Sequence, residues 1–289
     1  MKRIGFVDFY LGEWHADHYP QWLAQACERL ELSYKVAYAW AEQELSPVNG
    51  VSTEEWCRTY GVEACHSLEE LCEKSDVILI LAPTNPEKHL GYAETVLRYG
   101  KPTYIDKTFA PDFKTAKAIF RLGREYDTPF FSTSALRYAS ELDGYDNCRQ
   151  MITTGSGANL PEYVIHQIEM IVKKLGIGAV RLRGELLGQQ TFLHIAYPDD
   201  RTATMIFARS YPFTVYLSDG TGGAVRPVYR EVTSSYFEIL MERILRFFET
   251  GWADFDGAET LEVARIREGA LLARENPGIW FDLSDLEEN

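Results

Sequence analysis

The strongest alternation of hydrophobic and polar positions runs from Val77 to Lys107. Residues 77–81 are an uninterrupted apolar run, short enough for a strand buried on both faces, as in a parallel sheet. Pro83, Asn85 and Pro86 break the run. A helical stripe of Leu90, Ala93, Val96 and Leu97 follows; Gly100 suits the helix C-terminus and Pro102 prevents continuation. Residues 103–105 form the next strand, which ends at Asp106 and Lys107. The pattern predicts a β-α-β unit whose two strands both deliver polar residues at their C-terminal ends, the edge where open α/β sheets bind ligands.

The same rhythm extends to both sides. Strands are expected at 4–9, 34–40, 62–65 and 129–132, and helices at about 15–30, 53–60, 68–72 and 112–126. Capping boxes at Ser52 with Glu55 and at Ser67 with Glu70 mark two of the helix starts. Alternating strand and helix predict a parallel, doubly wound sheet over residues 1–130. After Arg137 the rhythm changes. A helix at 162–175 precedes strand-like runs at 179–187, 191–197, 202–208 and 213–218, with turns at 198–200 and 219–223. Helices at about 235–250 and 258–274 and a closing strand at 279–283 follow. Strands joined by short turns mean an antiparallel meander, so residues 131–289 are read as a second, α+β domain with an open antiparallel sheet. That sheet carries Phe207, Tyr211, Phe213, Tyr216 and Tyr229, an aromatic set that needs a cover and points to a homodimer or higher homo-oligomer.

Composition narrows the classes. Of 289 residues 46% are apolar and 25% charged, so the chain can build packed cores. A net charge of −14 repels a phosphate backbone, which excludes nucleic acid as the expected partner. No apolar run approaches the roughly 20 residues of a membrane helix, and the N-terminus has no signal-like apolar core. Five cysteines without a C-x-x-C suit a reducing cytoplasm and most simply pack.

The segment A-P-T-N-P-E-K-H-L, followed by G-K-P-T-Y-I-D-K-T-F-A, resembles the Gfo/Idh/MocA family, the glucose-fructose oxidoreductase and inositol dehydrogenase group. The likeness spans essentially the whole chain. Asp106-Lys107-Thr108 stands where Glu-Lys-Pro is usual; Glu162, Val164 and His166 stand for the Asp, Gly and His of a second motif. The resemblance implies a Rossmann-type N-terminal domain and an NAD(P)-dependent oxidoreductase of a sugar, polyol or related hydroxy compound. NAD or NADP would lie along the first-strand turn (Phe9, Tyr10, Leu11, Gly12), the loop of Ala82, Pro83, Thr84 and Asn85, and near His89 and Asp106. Lys107 would bind the reacting hydroxyl and His166 exchange its proton, with Glu162 orienting it and Lys107 and His166 facing one cavity. Arg137 and Tyr138 would contact the substrate, with Ser132 and Ser134 completing a polar pocket.

The residues themselves keep alternatives open. The G-x-G-x-x-G turn of a dinucleotide site is missing: Asp8, Phe9, Tyr10 and Leu11 occupy it and only Gly12 remains. Side chains there block the pyrophosphate, and a carboxylate about 4 Å from one phosphate charge costs roughly 4 kcal/mol at an effective dielectric of 20. The alternative is a family member that has lost the dinucleotide and acts as a small-molecule binding or regulatory protein. Lys107 can equally pair with an acid such as Asp106, and Glu42 can accept ribose hydroxyls or stay a loop charge. Glu162, His166 and Glu169 share a helix, with i and i+4 on one face. Arg137 can form an ion pair instead. Glu13, His15, Asp17 and His18 resemble metal ligands, but no third ligand at a known spacing supports them and no metal is expected.

Overall fold

The computed structural model describes residues 1–222 and 226–287; Gly223, the end of the turn expected at 219–223, lies outside them. The chain divides into two compact units. One comprises Met1–Pro111, Thr115–Thr133 and Phe237–Phe255; the other Asp112–Lys114, Ser134–Tyr236 and the residues from Asp256 onward.

The first unit alternates β1 (Lys2–Asp8), α1 (Trp14–Leu30), β2 (Tyr34–Ala41), α2 (Thr53–Tyr60), β3 (Glu63–Ala64), α3 (Leu68–Lys74), β4 (Val77–Ile80), α4 (His89–Val96), β5 (Thr103–Ile105), α5 (Phe113–Glu125) and β6 (Phe130–Phe131). Its sheet is parallel throughout, in the order β3-β2-β1-β4-β5-β6. The apolar run of β4 is buried along its whole length because a neighbouring strand pairs on each side. Strand order reverses between β1 and β4, so a crevice opens at their C-terminal ends. Ser52 and Ser67 each accept the backbone N–H three residues on, at 3.1 Å, and start α2 and α3 where their capping boxes predict.

The second unit contains β7 (Gln150–Gly155), α6 (Leu160–Leu175), β8 (Arg181–Leu187), β9 (Gln190–Ala196), β10 (Thr202–Phe207), β11 (Thr214–Ser218), β12 (Val228–Glu231), then α7 (Tyr236–Thr250), α8 (Gly257–Glu275) and β13 (Trp280–Asp282). Helix α7 follows β12 in sequence, yet the segment from Phe237 belongs to the first unit. Phe247 packs on Phe131, Phe248 on Tyr34, and Glu242 takes Arg29 at 2.7 Å.

The second sheet runs β12-β11-β7-β10-β9-β8-β13 and is mostly antiparallel. The expected meander is real for β8, β9 and β10. One pair departs from it: β7 lies between β11 and β10 and runs parallel to β10. Neither β7 nor β12 is visible as a strand in the sequence, since Q-M-I-T-T-G and V-Y-R-E carry too few apolar residues for a period-2 signal. One face of the sheet is buried and the other is open. A row crosses all seven strands on the open side: Tyr229, Tyr216, Ile152, Thr204, His194, Arg183 and Trp280. Three members of the predicted aromatic set are elsewhere: Tyr211 lies in the connection between β10 and β11, where its Oη accepts from Gln190 Nε2. Phe207 falls on the buried face because it is one residue out of phase with that row, and Phe213 precedes β11 and packs against His166. Among the described residues no helix is long and apolar enough to cross a membrane.

Strand β8 lies flush against α8 at Gly184. A Cβ there would stand 2.4 Å from the Ala273 carbonyl oxygen and 2.7 Å from its carbon, both backbone atoms. Gly184→Ala is expected to lower unfolding free energy by about 1–3 kcal/mol, the range for overpacking. Urea denaturation checks this; an unchanged midpoint would show that strand and helix can separate at no cost.

Candidate functional site

The C-terminal edge of the first sheet gathers the chemistry of the first unit. β1 ends on Asp8, β4 runs into Leu81, Ala82 and Pro83, and β5 ends before Asp106 and Lys107. Three carboxylates meet there, and each is almost wholly buried.

Asp8 turns its Oδ1 to two backbone N–H groups, Phe9 at 2.7 Å and Ala82 at 3.0 Å. Its Oδ2 is buried without a hydrogen-bond partner. Burial, and then the neighbouring Glu13 carboxylate, push the Asp8 carboxyl well above its ordinary range. Glu13 is the N-cap of α1 and accepts from His15 N at 2.8 Å and from Ala16 N. Burial raises its pKa as well, against the opposing pull of His15 and those amides.

Asp106 is fully buried and fully engaged. It accepts from Lys107 N at 2.9 Å, Tyr104 Oη at 3.1 Å and Tyr19 Oη at 3.4 Å, and pairs with His15 Nδ1. Burial opposes its ionisation, but His15, with Lys107 adding to it, holds the carboxyl below the usual range. Lys107 is 7% exposed and donates from Nζ to the Pro83 carbonyl at 3.3 Å. The edge thus brings together Asp8, Ala82, Pro83, Asp106 and Lys107. It adds His15, whose partner is 91 residues away and gives no local sequence signal.

The other candidate cofactor contacts are mostly turned inward. Tyr10 and Leu11 are buried, and Phe9 lies beneath the Lys88 ammonium, 4.7 Å from its ring centre. Gly12 has φ +77° and its carbonyl accepts from Ser46 Oγ and Asn49 Nδ2. Both ring nitrogens of His89 face backbone carbonyls, Phe109 at 3.0 Å and Leu81 at 2.7 Å, so it ties the 82–85 loop to the segment after β5. Burial pushes its pKa down. Thr84 and Asn85 stay accessible and bond each other at 3.2 Å. Glu42 is taken by Lys88 and Tyr92. Asp17 accepts the Trp56 indole N–H and His18 stacks on Trp14. No group of three metal-ligating side chains is found among the described residues.

In the second unit His166 Nδ1 meets Ser134 Oγ at 2.7 Å, and Ser134 N donates to Glu169 Oε1 at 3.0 Å. Glu169 also pairs with Arg137, as does Glu259. Arg137 is buried, so its ion pairs are interior ones. Tyr138 is buried in the short turn after Ser134. Glu162 does not bond His166. It sits in the first turn of α6, where the N-cap residue Asn159 accepts its N–H at 2.9 Å and donates to its carboxylate at 3.1 Å. A shared helix face therefore does not make Glu162 the partner of His166; the acid linked to the histidine is Glu169, through Ser134.

Asp8 yields a pH-dependent prediction. Its folded pKa is raised, so between about pH 4, the unfolded value, and the folded value the native state binds more protons and stability falls as pH rises. Asp8→Asn keeps an oxygen for Phe9 N and Ala82 N and removes the ionisation. The variant is expected to melt several degrees above wild type at pH 8, and the gap should close toward pH 4. Calorimetric melts at both ends decide; a gap of equal size throughout means Asp8 does not titrate there.

No protein-family model matches the chain, and no curated protein matches it either. Many solved structures do. A probable dehydrogenase from Thermotoga maritima superposes with TM-score 0.76 at 12% identity, covering 98% of this chain and 99% of that one. The UDP-N-acetylglucosamine 3-dehydrogenase GnnA from Acidithiobacillus ferrooxidans gives 0.73 at 14% identity, over 95% and 98%. The scyllo-inositol dehydrogenase from Lactobacillus casei, solved with bound NAD(H) and scyllo-inositol, gives 0.73 at 13%, over 98% and 99%. At these identities the likeness establishes the fold: a Rossmann-like parallel sheet joined to a mixed, mostly antiparallel sheet with helices, as in these dehydrogenases.

Proposed function

We propose that this chain is an oxidoreductase acting on a sugar, polyol or related hydroxy compound. The observation that carries the reading is Lys107, an ammonium buried at the C-terminal end of a central parallel strand on a fold shared with dehydrogenases. At that edge it donates a hydrogen bond to a substrate hydroxyl and stabilises the alkoxide that develops as the carbon loses hydride. In the second unit His166 is the candidate for proton exchange, and Arg137 and Tyr138 for substrate contact, with Glu169 and Ser134 positioning the histidine.

NAD or NADP is the redox partner that such chemistry calls for. The first turn does not fit a diphosphate laid on the start of α1. Glu13 already takes His15 N and Ala16 N, and Asp8 takes Phe9 N and Ala82 N. A dinucleotide used by this chain would therefore not rest on those amides, and it would supply the hydride acceptor. The same turn favours the second reading, a small-molecule binding or regulatory protein without a dinucleotide.

Calorimetric titration with all four nicotinamide cofactors separates the two. Saturable binding supports the oxidoreductase, and Lys107→Met should then cut turnover about 10²- to 10³-fold while leaving the melting temperature nearly unchanged. Absence of binding up to millimolar concentration leaves the second reading.

We also propose that a second copy covers the open sheet face, where Tyr229 is 66%, Ile152 41% and Trp280 39% exposed. Light scattering should give about 66 kDa, twice the 33.0 kDa chain. A mass of one chain at micromolar concentration removes this proposal.

A further inference from the structure

The stretch E-W-H-A-D-H at the start of α1 is only partly accounted for by the site described above. Glu13 caps the helix, Asp17 holds Trp56, and His18 lies on Trp14. His15 has no such settled task. Its Nδ1 is engaged by Asp106, which three further donors hold in place. An ionised carboxylate only accepts, so Nδ1 carries the proton and Nε2 is the ring's acceptor. That Nε2 bonds no described residue, and it is not sealed from solvent.

The surroundings point to a ligand class. Trp14, 47% exposed, stands edge-on to His15 with ring centres 5.3 Å apart, while Tyr19 and Phe237 close the other sides at 4.9 and 6.0 Å. An exposed indole beside a basic nitrogen offers an apolar platform for the C–H face of a ring and an acceptor for one of its hydroxyls. The ionised Asp106 carboxylate paired with His15 disfavours an anion.

We propose that His15, oriented by Asp106, is a general base that takes the proton of a hydroxyl on a neutral sugar or cyclic polyol stacked on Trp14. The O–H bond breaks, its proton passes to Nε2, and the imidazolium forms beside Asp106, which stays ionised and stabilises it. The alkoxide is left to the partner chemistry of Lys107, and in this assignment His15 takes the place of His166 as the proton acceptor. The proposal rests on the oxidoreductase reading only for the fate of that alkoxide, since the proton transfer balances without a redox partner.

The test uses diethyl pyrocarbonate, which acylates an unprotonated, reachable imidazole nitrogen, on the whole chain with peptide mass mapping. His15 should react about as fast as the exposed His66, while His89, wholly buried, stays unmodified. Asp106→Asn should slow the His15 reaction by about tenfold or more, because the amide no longer fixes the tautomer. Myo-inositol or N-acetylglucosamine should protect His15 and not His66, and Trp14→Ala should abolish that protection. An inert His15, or a rate unchanged in folded Asp106→Asn, overturns the base. If Asp106→Asn does not fold, the wild-type pattern and the Trp14→Ala comparison decide. Lack of protection by any neutral sugar or polyol overturns the ligand class. No cofactor enters this readout. A reactive His15 without nicotinamide binding removes the redox reading and keeps the base; an inert His15 with cofactor binding does the reverse.

Discussion

A carboxylate taken wholly out of water costs several kcal/mol unless charge and hydrogen bonds replace its hydration. Asp106 is such a group, and the first unit is arranged around satisfying it. Its oxygens collect a backbone N–H from Lys107, two tyrosine hydroxyls and an imidazole. These donors come from α1, from β5 and from the residue after Asp106 itself, so the carboxylate ties helix, strand and loop together. Tyr104 also donates to the Thr133 carbonyl, which carries the tie on to the segment after β6. The cost of the buried charge is offset by geometry that leaves α1 one place to start.

That start explains the missing glycines. In a glycine-rich turn, bare backbone N–H groups at the helix start wait for an anion from outside. Here the chain supplies its own carboxyl acceptors. Glu13 closes the start of α1 and Asp8 closes the end of β1. Tyr10 and Leu11 then fill with apolar bulk the volume that glycines keep clear. One Asp8 oxygen is buried without a hydrogen-bond partner, so this substitution is imperfect.

Most of the fold was legible because its signals are local. The apolar run of β4, the two capping boxes and the spacing of strand and helix each sit within a few residues, and each element formed where its pattern predicts. What failed was non-local. Strand β7 is recognisable only by its neighbours β10 and β11, far along the chain, and the return of α7 to the first unit depends on Phe131 and Tyr34. The site divides the same way. Lys107 was readable from the end of an apolar strand, and Asp8 from a broken motif. The links of His15 with Asp106, of Ser134 with His166 and of Ser134 with Glu169 cross 91, 32 and 35 residues of sequence. Glu162 shows the opposite error: a regular i, i+4 spacing suggested a partner, but the first turn of α6 claims that residue for its own N-cap.

Each unit links a histidine to a buried carboxylate, one directly and one through a serine. His15 is tied straight to a fully buried carboxylate, so its tautomer is fixed by a full charge. His166 is tied to a serine whose backbone N–H is bound by Glu169, and that acid also faces the Arg137 guanidinium. The carboxylate therefore acts on His166 at one remove and with its charge partly offset.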